Sequence, residues 1–377
     1  MSDFEQQLNQ CRNEIDSIDE QLLSLIAKRR LVTAKVGELK SNKGMPIFDP
    51  SREQALLSKL KKQGASDDLS PSLIEDVFRR IMRDSYSSQD EQGYLCVNPD
   101  AGNIVIIGGK GQLGQVFVDL FERTGYHVDI IEKHDWDKPE HTDAMLAKAA
   151  LVIVAVPINL TEQVISTLKN LPDDCILADI TSIKDKPLTQ MLDAHRGPVV
   201  GLHPMFGPDV TGMIKQTIIV CEGRKAEQYQ WLLEQFKIWG AFNYHVEATQ
   251  HDDAMAMVQV MRHFSTVSYG YHLMQENVDL DQLLAMSSPI YRLELIMVGR
   301  LFAQAPELYA DIIFSNPENV VMMRRFIERF SSLLENVEQG DKVSFIEQFN
   351  QVANWFGDDA NTFLQESKSL LEKTRER

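Results

Sequence analysis

The chain is poor in the features that mark secreted, membrane or metal-binding proteins. Its four cysteines, Cys11, Cys96, Cys175 and Cys221, lie far apart and form no C-x-x-C pair. Neither a disulfide framework nor a zinc site is expected, and a reducing cytoplasm is. No apolar run reaches membrane-spanning length, and the opening residues Met1-Ser2-Asp3-Phe4-Glu5 are acidic and carry no apolar signal region. There is no H-E-x-x-H or H-x-x-E-H, so no metal is expected. Basic residues are scarce, 38 against 55 acidic ones, for a net charge of −17. That excludes general binding to nucleic acid or to an anionic membrane. It also means that basic residues gathered around a small anion would act against the field of the whole protein. No solenoid-length repeat and no low-complexity tract appears. What remains is an ordinary globular composition, 44% hydrophobic and 25% charged, and 377 residues suggest two or three domains.

One stretch organises the middle of the chain. Ile104-Val105-Ile106-Ile107 reads as a buried strand, a glycine-rich turn follows, and Gln115 to Phe121 reads as a helix. Gly109, Gly111 and Gly114 fit G-x-G-x-x-G. The first glycine is expected to make the tight turn, the second to let backbone approach a pyrophosphate, and the third to let helix pack close to strand. Gln112 and Leu113 would offer free N–H groups at the helix start, where phosphates bind. A second strand, Val128 to Ile131, ends in Glu132, placed to bind ribose hydroxyls and to repel a 2′-phosphate. The cofactor expected is NAD. A glycine turn that serves only packing is the alternative.

The N-terminal residues carry a different pattern. Leu8, Cys11, Ile15, Ile18, Leu22, Leu25, Arg29, Val32, Val36 and Leu39 alternate steps of three and four, a heptad seam on one helix from about residue 4 to 41. Such a helix, roughly 55 Å long at 1.5 Å per residue, is too long for a small domain to cover by itself. A partner helix is therefore expected, most simply from a second copy. Arg29 interrupts the seam and needs an anionic partner, either in an internal ion pair or in a ligand. Lys43-Gly44-Met45-Pro46 ends the helix. Asp49-Pro50 starts a second that runs to Gly64, and Ser70-Pro71 starts a third that closes near Gln89.

Arg12, Arg29, Lys40, Asp49, Arg52, Glu53, Ser85 and Gln89 resemble the active-site set of the all-helical chorismate mutases. The resemblance implies three helices per chain intertwined in a dimer. It also implies a Claisen rearrangement of chorismate, a dicarboxylate ether, to prephenate. The residue types suit that chemistry: arginines for two carboxylates, Lys40 and Gln89 for the ether oxygen as it gains charge, and Glu53 as acceptor for the ring hydroxyl.

Further buried strands follow. Ala150 to Val156 ends at Pro157, and both residues at that edge, Val156 and Pro157, are candidate cofactor contacts. Cys175 to Asp179 leads into Ser182 and Lys184. Val199 to Leu202 leads into His203 and a Pro/Gly-rich turn. Thr217 to Cys221 and Phe242 to Tyr244 are expected to complete the sheet, with the helix of Trp231, Leu232, Phe236 and Trp239 packed between them. His203 would face the cleft mouth, and a capping or core role is its alternative. His127, His134, His141 and His195 read as surface positions. From His251 onward the chain looks helical, with breaks at Gln339-Gly340 and Gly357-Asp358. The Met255, Met257 and Met261 face reads as packing. Arg292 and Arg300, about 80° apart around one helix, are either anion-binding or paired with Glu294 or Glu307.

Gly109-x-Gly111-x-x-Gly114, Asp179-x-x-Ser182-x-Lys184, Gly201-Leu202-His203-Pro204-Met205-Phe206-Gly207-Pro208, His251-Asp252, His263 and Met297-Val298-Gly299-Arg300 are similar to prephenate dehydrogenases. The whole chain thus resembles the bifunctional chorismate mutase/prephenate dehydrogenases of bacterial tyrosine biosynthesis. That implies oxidation and decarboxylation of prephenate to 4-hydroxyphenylpyruvate. His203 would be the base, Ser182 would orient it, and Arg300 would hold prephenate, with Lys184 and His263 also on the substrate side; Arg292 remains a substrate-binding candidate from its place on the helix. It further implies a homodimer, and L-tyrosine as feedback inhibitor. The expected architecture is an all-α mutase domain at 1–92, a linker at 93–102, an α/β Rossmann-type domain at 103–247 and an all-α dimerisation domain at 248–377. The competing readings are a dehydrogenase whose N-terminal helices only dimerise or regulate, and a non-catalytic NAD-sensing protein.

Overall fold

The structure, a computed structural model, describes residues 3–90, 93–210 and 212–375, and only the backbone at 87–90 and 372–375. It divides into two compact units, Met1–Val156 with Leu160–Ala248, and Pro157–Asn159 with Thr249–Arg377.

The first unit begins with α1 (Asp3–Ser41), α2 (Pro50–Gly64) and α3 (Pro71–Asp90). Asp49 caps α2 by accepting the Arg52 N–H at 3.0 Å, and Pro50 occupies the first helical position, as Asp49-Pro50 predicts. α1 packs along α3 but leaves its seam open, with Leu22 51%, Leu25 60% and Leu39 68% exposed. One chain does not cover that stripe.

The sheet follows from β1 (Asn103–Ile107), α4 (Gln112–Thr124), β2 (Val128–Ile131), α5 (Pro139–Leu146), β3 (Ala149–Val154), α6 (Ile158–Thr167), β4 (Ile176–Asp179), α7 (Asp185–Ala194), β5 (Val199–Pro204), β6 (Thr217–Arg224), α8 (Gln230–Ile238) and β7 (Phe242–His245). The strand order is β2-β1-β3-β4-β5-β6-β7. β1 to β5 are parallel, and β6 turns back antiparallel to β5. The chain leaves β1 for β2 on one side and returns to β3 on the other. A crevice for a ligand opens at such a switch. Strand residues such as Ile104, Val152 and Leu177 are fully buried, as their unbroken apolar runs predict.

One expectation changes here, at His195. The stretch read as a linker is held at several points. Tyr94 is buried edge-on against Trp239. Gln235 accepts the Val97 N–H at 3.0 Å and donates to the Leu95 carbonyl at 3.1 Å. The helices share the core of the sheet through Ile47, and Phe48 meets Phe242 of β7 edge-on at 5.6 Å. His195, read as a surface residue, is buried. Its Nε2 donates to the Cys175 carbonyl at 2.6 Å, and burial lowers its pKa. The polar surroundings of His195 in sequence gave no hint that its ring would be buried on the Cys175 carbonyl. His127, His134 and His141 are exposed.

The second unit contains most of α9 (Ala248–Met255), then α10 (Arg262–Gln275), α11 (Leu280–Met286), α12 (Pro289–Phe302), α13 (Pro306–Phe314), α14 (Glu318–Glu338), α15 (Lys342–Phe356) and α16 (Asp359–Arg375). A π-helical turn, Ala256–Met261, joins α9 to α10. In α9 and that turn Met255 and Met261 are buried, while Met257 is exposed.

Candidate active sites

The glycine loop joins β1 to α4. Its tight turn is made by Gly108, with φ 83°, and not by Gly109 as the motif suggests. A Cβ on Gly108 would also lie 2.6 Å from the Ala155 carbonyl, just before Val156 and Pro157 at the end of β3. The adjacent Gly108-Gly109 pair was the available signal. Gly114 packs as expected, since a Cβ there would come within 2.4 Å of the Gly108 carbonyl. Gly111 caps α4 without a side chain, and the first helical bond closes from Gln115 N–H to the Gly111 carbonyl at 2.8 Å. The N–H groups of Gln112, Leu113 and Gly114 therefore precede the helix ladder and face the loop. Glu132, at the end of β2, accepts the Lys110 N–H at 2.8 Å, so the carboxylate stands over the glycine turn. A bare loop with exposed helix N–H groups and an acid beside it fits a dinucleotide without a 2′-phosphate.

His203 lies within β5 and Ser182 follows β4, neighbouring strands in which Gly201 pairs with Asp179. His203 is buried near the carboxyl end of β5, and Ser182 is half-buried in the turn after β4. That turn is stitched by Thr181, whose N–H reaches Asp179 at 3.1 Å and whose hydroxyl reaches the Ile183 carbonyl at 3.0 Å. Lys184 is fully buried, with its ammonium on Asp179. Its charge is thus balanced inside the fold rather than offered to solvent.

Among the helices, Arg29 donates from Nη1 to the Ser85 hydroxyl, and Ser85 donates on to the Ile81 carbonyl at 2.8 Å. Lys40 donates to the carbonyls of Pro46 at 3.2 Å and Ile47 at 2.8 Å. Burial lowers the pKa of both cations. Arg12 and Arg52 are exposed. Glu53 is buried and fully engaged by Arg79, Tyr86 and Lys215. The Gln89 side chain lies outside the described residues.

In the second unit, His263 is buried on the first turn of α10, edge-on to Tyr309 at 4.8 Å. Its Nδ1 has no hydrogen-bond partner among the described residues, and burial lowers its pKa to about 4. His251 bonds Asp252 at 2.7 Å. Arg292 is half-buried and Arg300 exposed, both on α12.

Residues 11–90 match the family Chorismate mutase type II. Residues 135–224 match the nucleotide-binding domain of prephenate dehydrogenase, and 247–351 its dimerization domain. The T-protein of Enterobacter agglomerans is 51% identical over 365 residues, 97% of this chain and 97% of that one. The T-protein of Haemophilus influenzae is 45% identical over 374 residues, 99% of this chain and 98% of that one. The chain belongs to the T-protein family. A solved prephenate dehydrogenase from A. aeolicus, in complex with hydroxyphenyl propionate and NAD+, shares the fold of the dehydrogenase part. Its TM-score is 0.53 at 17% identity, covering 67% of this chain and 96% of that one.

The protein is a bifunctional enzyme, a chorismate mutase joined to a prephenate dehydrogenase. Within the mutase helices, the structure brings Arg29 and Ser85 together and sets Arg79 and Tyr86 on Glu53. Sequence reasoning missed Arg79, Tyr86 and Lys215. The first two stand on α3 seven residues apart, so they share a face, and were within reach of a helical-face argument. Lys215 was not, being 162 positions from Glu53.

Proposed function

We propose that the enzyme first rearranges chorismate to prephenate on its N-terminal helices. It then oxidises and decarboxylates prephenate to 4-hydroxyphenylpyruvate at the edge of the sheet, with NAD as cofactor. The supporting observation is that one chain, matched along nearly its whole length to T-proteins, holds both residue sets in folded context.

The rearrangement needs no nucleophile. It needs a compact conformer and compensation for charge on the breaking ether bond. Arg29 spends one guanidinium nitrogen on Ser85 and keeps other donors for a substrate carboxylate. Lys40 has three ammonium protons, two of them on carbonyls, which leaves one for the ether oxygen. Gln89 is the second donor there, Arg12 and Arg52 serve carboxylates, Asp49 sets the start of α2, and Glu53 accepts the ring hydroxyl. The open seam of α1 supports a homodimer.

In the dehydrogenase, Gly109, Gly111, Gln112, Leu113 and Gly114 would hold the pyrophosphate, Glu132 the adenosine ribose, and Val156 and Pro157 the edge beside it. Bound NAD supplies the hydride acceptor. His203 takes the proton of the ring hydroxyl, held in orientation by Ser182, whose turn Asp179 and Lys184 anchor. The ring then becomes aromatic as its carboxylate leaves as CO2, which draws the step forward. Arg300, with Arg292 and His263, binds prephenate. L-tyrosine is the inhibitor and the cytoplasm the location this reading implies. Mass spectrometry after incubation with chorismate and NAD tests the pair of reactions. The expected product is 4-hydroxyphenylpyruvate. Prephenate alone, or product only from added prephenate, would each remove one activity.

A further inference from the structure

Glu53 is held by a cation from outside the mutase helices. The connection from β5 to β6 carries Lys215 near its end, with a left-handed φ of 63°. A lysine adopts that conformation at a cost, and such conformations persist where the surroundings fix them. Here the Lys215 N–H bonds the Gly240 carbonyl at 2.9 Å, past the end of α8. The ammonium passes over two rings, 4.8 Å from the Phe48 centroid and 5.5 Å from that of Tyr86. It ends 2.8 Å from each carboxylate oxygen of Glu53.

The other contacts to Glu53 come from α3. Arg79 donates to Oε1 at 2.9 Å and Tyr86 to Oε2 at 2.7 Å. A carboxylate offers about four acceptor positions, and these contacts fill them. A ring hydroxyl can bind only if one contact yields. Arg79 and Tyr86 each hold a single oxygen from the same helix. Lys215 holds both oxygens, so it can release one and still fix the other.

We propose that Lys215 is a positioning residue of the mutase reaction: it holds the Glu53 carboxylate in place and cedes one oxygen to the ring hydroxyl of chorismate. The mutase site is then completed by a residue of the β5–β6 connection in the dehydrogenase part. The inference rests on Glu53 being the acceptor for that hydroxyl. Electrostatics agree. Burial by itself would raise the Glu53 pKa, but hydrogen bonds from Lys215 and Tyr86, with the charges of Lys215 and Arg79, leave it lowered. Without Lys215, burial is opposed only by Arg79 and Tyr86, so the pKa rises. Glu53 then protonates, and stops accepting, at a higher pH.

The test compares Lys215→Met, which keeps the stem over the rings, with Lys215→Arg and Glu53→Gln, all in the full-length protein. Lys215→Met is expected to raise the chorismate KM roughly three- to tenfold with kcat changed by less than about twofold. The acid limb of its mutase kcat/KM should move to higher pH. Lys215→Arg should restore most of the loss. Dehydrogenase activity on added prephenate should stay within about twofold, which also verifies folding. In the Glu53→Gln background, Lys215→Met should add little. An unchanged KM and acid limb would overturn the proposal. So would a parallel loss of both activities, which a mere tie between helices and sheet predicts, or a full effect of Lys215→Met without Glu53. If Glu53→Gln itself leaves the mutase intact, the reading of Glu53 is what fails.

Discussion

The dinucleotide loop and the mutase helices solve opposite problems. The loop takes its glycines and its acid from about 30 consecutive residues in one βαβ unit. β1 is buried by its own neighbours, Gly114 closes onto Gly108, and Glu132 returns to the Lys110 amide. The mutase helices are not self-sufficient. The seam of α1 stands open, Arg12 is exposed far along α1 from the Arg29–Ser85 pair, and Glu53 draws a cation from beyond β5. A site closed by local contacts is set by its own segment. A site on an open helix depends on whatever covers it.

The largest test of this contrast is His203→Asn. Dehydrogenase turnover should fall roughly 10²–10⁴-fold, the usual worth of a general base, while mutase activity and NAD affinity persist. Wild-type turnover would show that the histidine is only packed at the strand end.

Arg12→Ala and Arg29→Ala should each lower mutase turnover about 10²–10³-fold, as loss of a charge-stabilising donor does. The two residues lie about 25 Å apart along α1, at 1.5 Å per residue, so they cannot grip one ligand within a chain. Unfolded together and refolded, the two variants should form mixed dimers with one intact site, and activity should return. Mixed dimers that stay dead would make the mutase as self-contained as the glycine loop.

Arg300→Ala should raise the KM for prephenate roughly ten- to a hundredfold, the cost of a lost charged hydrogen-bonding partner. An unchanged KM would reassign Arg300 to an ion pair on α12.

The smallest effect concerns the loop. The wild-type enzyme should prefer NAD, and Glu132→Ala should narrow the gap to NADP by up to about tenfold, since one repulsive charge is worth on the order of 1.4 kcal/mol. Equal specificity constants for the two cofactors in the wild type would sink the role of Glu132.

Patterns carried by neighbours in the chain were legible without coordinates. Period 3.5 in α1, the Asp49-Pro50 cap of α2, the apolar strands and the spacing of Gly109, Gly111 and Gly114 all depend on residues within a few turns or pleats. The turn glycine was missed because Gly108 and Gly109 are chemically identical, and only φ separates them. His195 was missed because its burial is set by Cys175, 20 positions earlier.

By itself, then, the sequence determined the order of the mutase and dehydrogenase parts and the stripe on α1 that demands a partner. Local periodicity and side-chain chemistry are properties of the chain before it folds. The tertiary structure decided which groups spend their charge inside the fold and on what. It put Lys184 on Asp179, tied Leu95 and Val97 to Gln235, and brought Lys215 to Glu53. Those pairings follow from how helices and sheet share a core, and distance along the chain does not encode them.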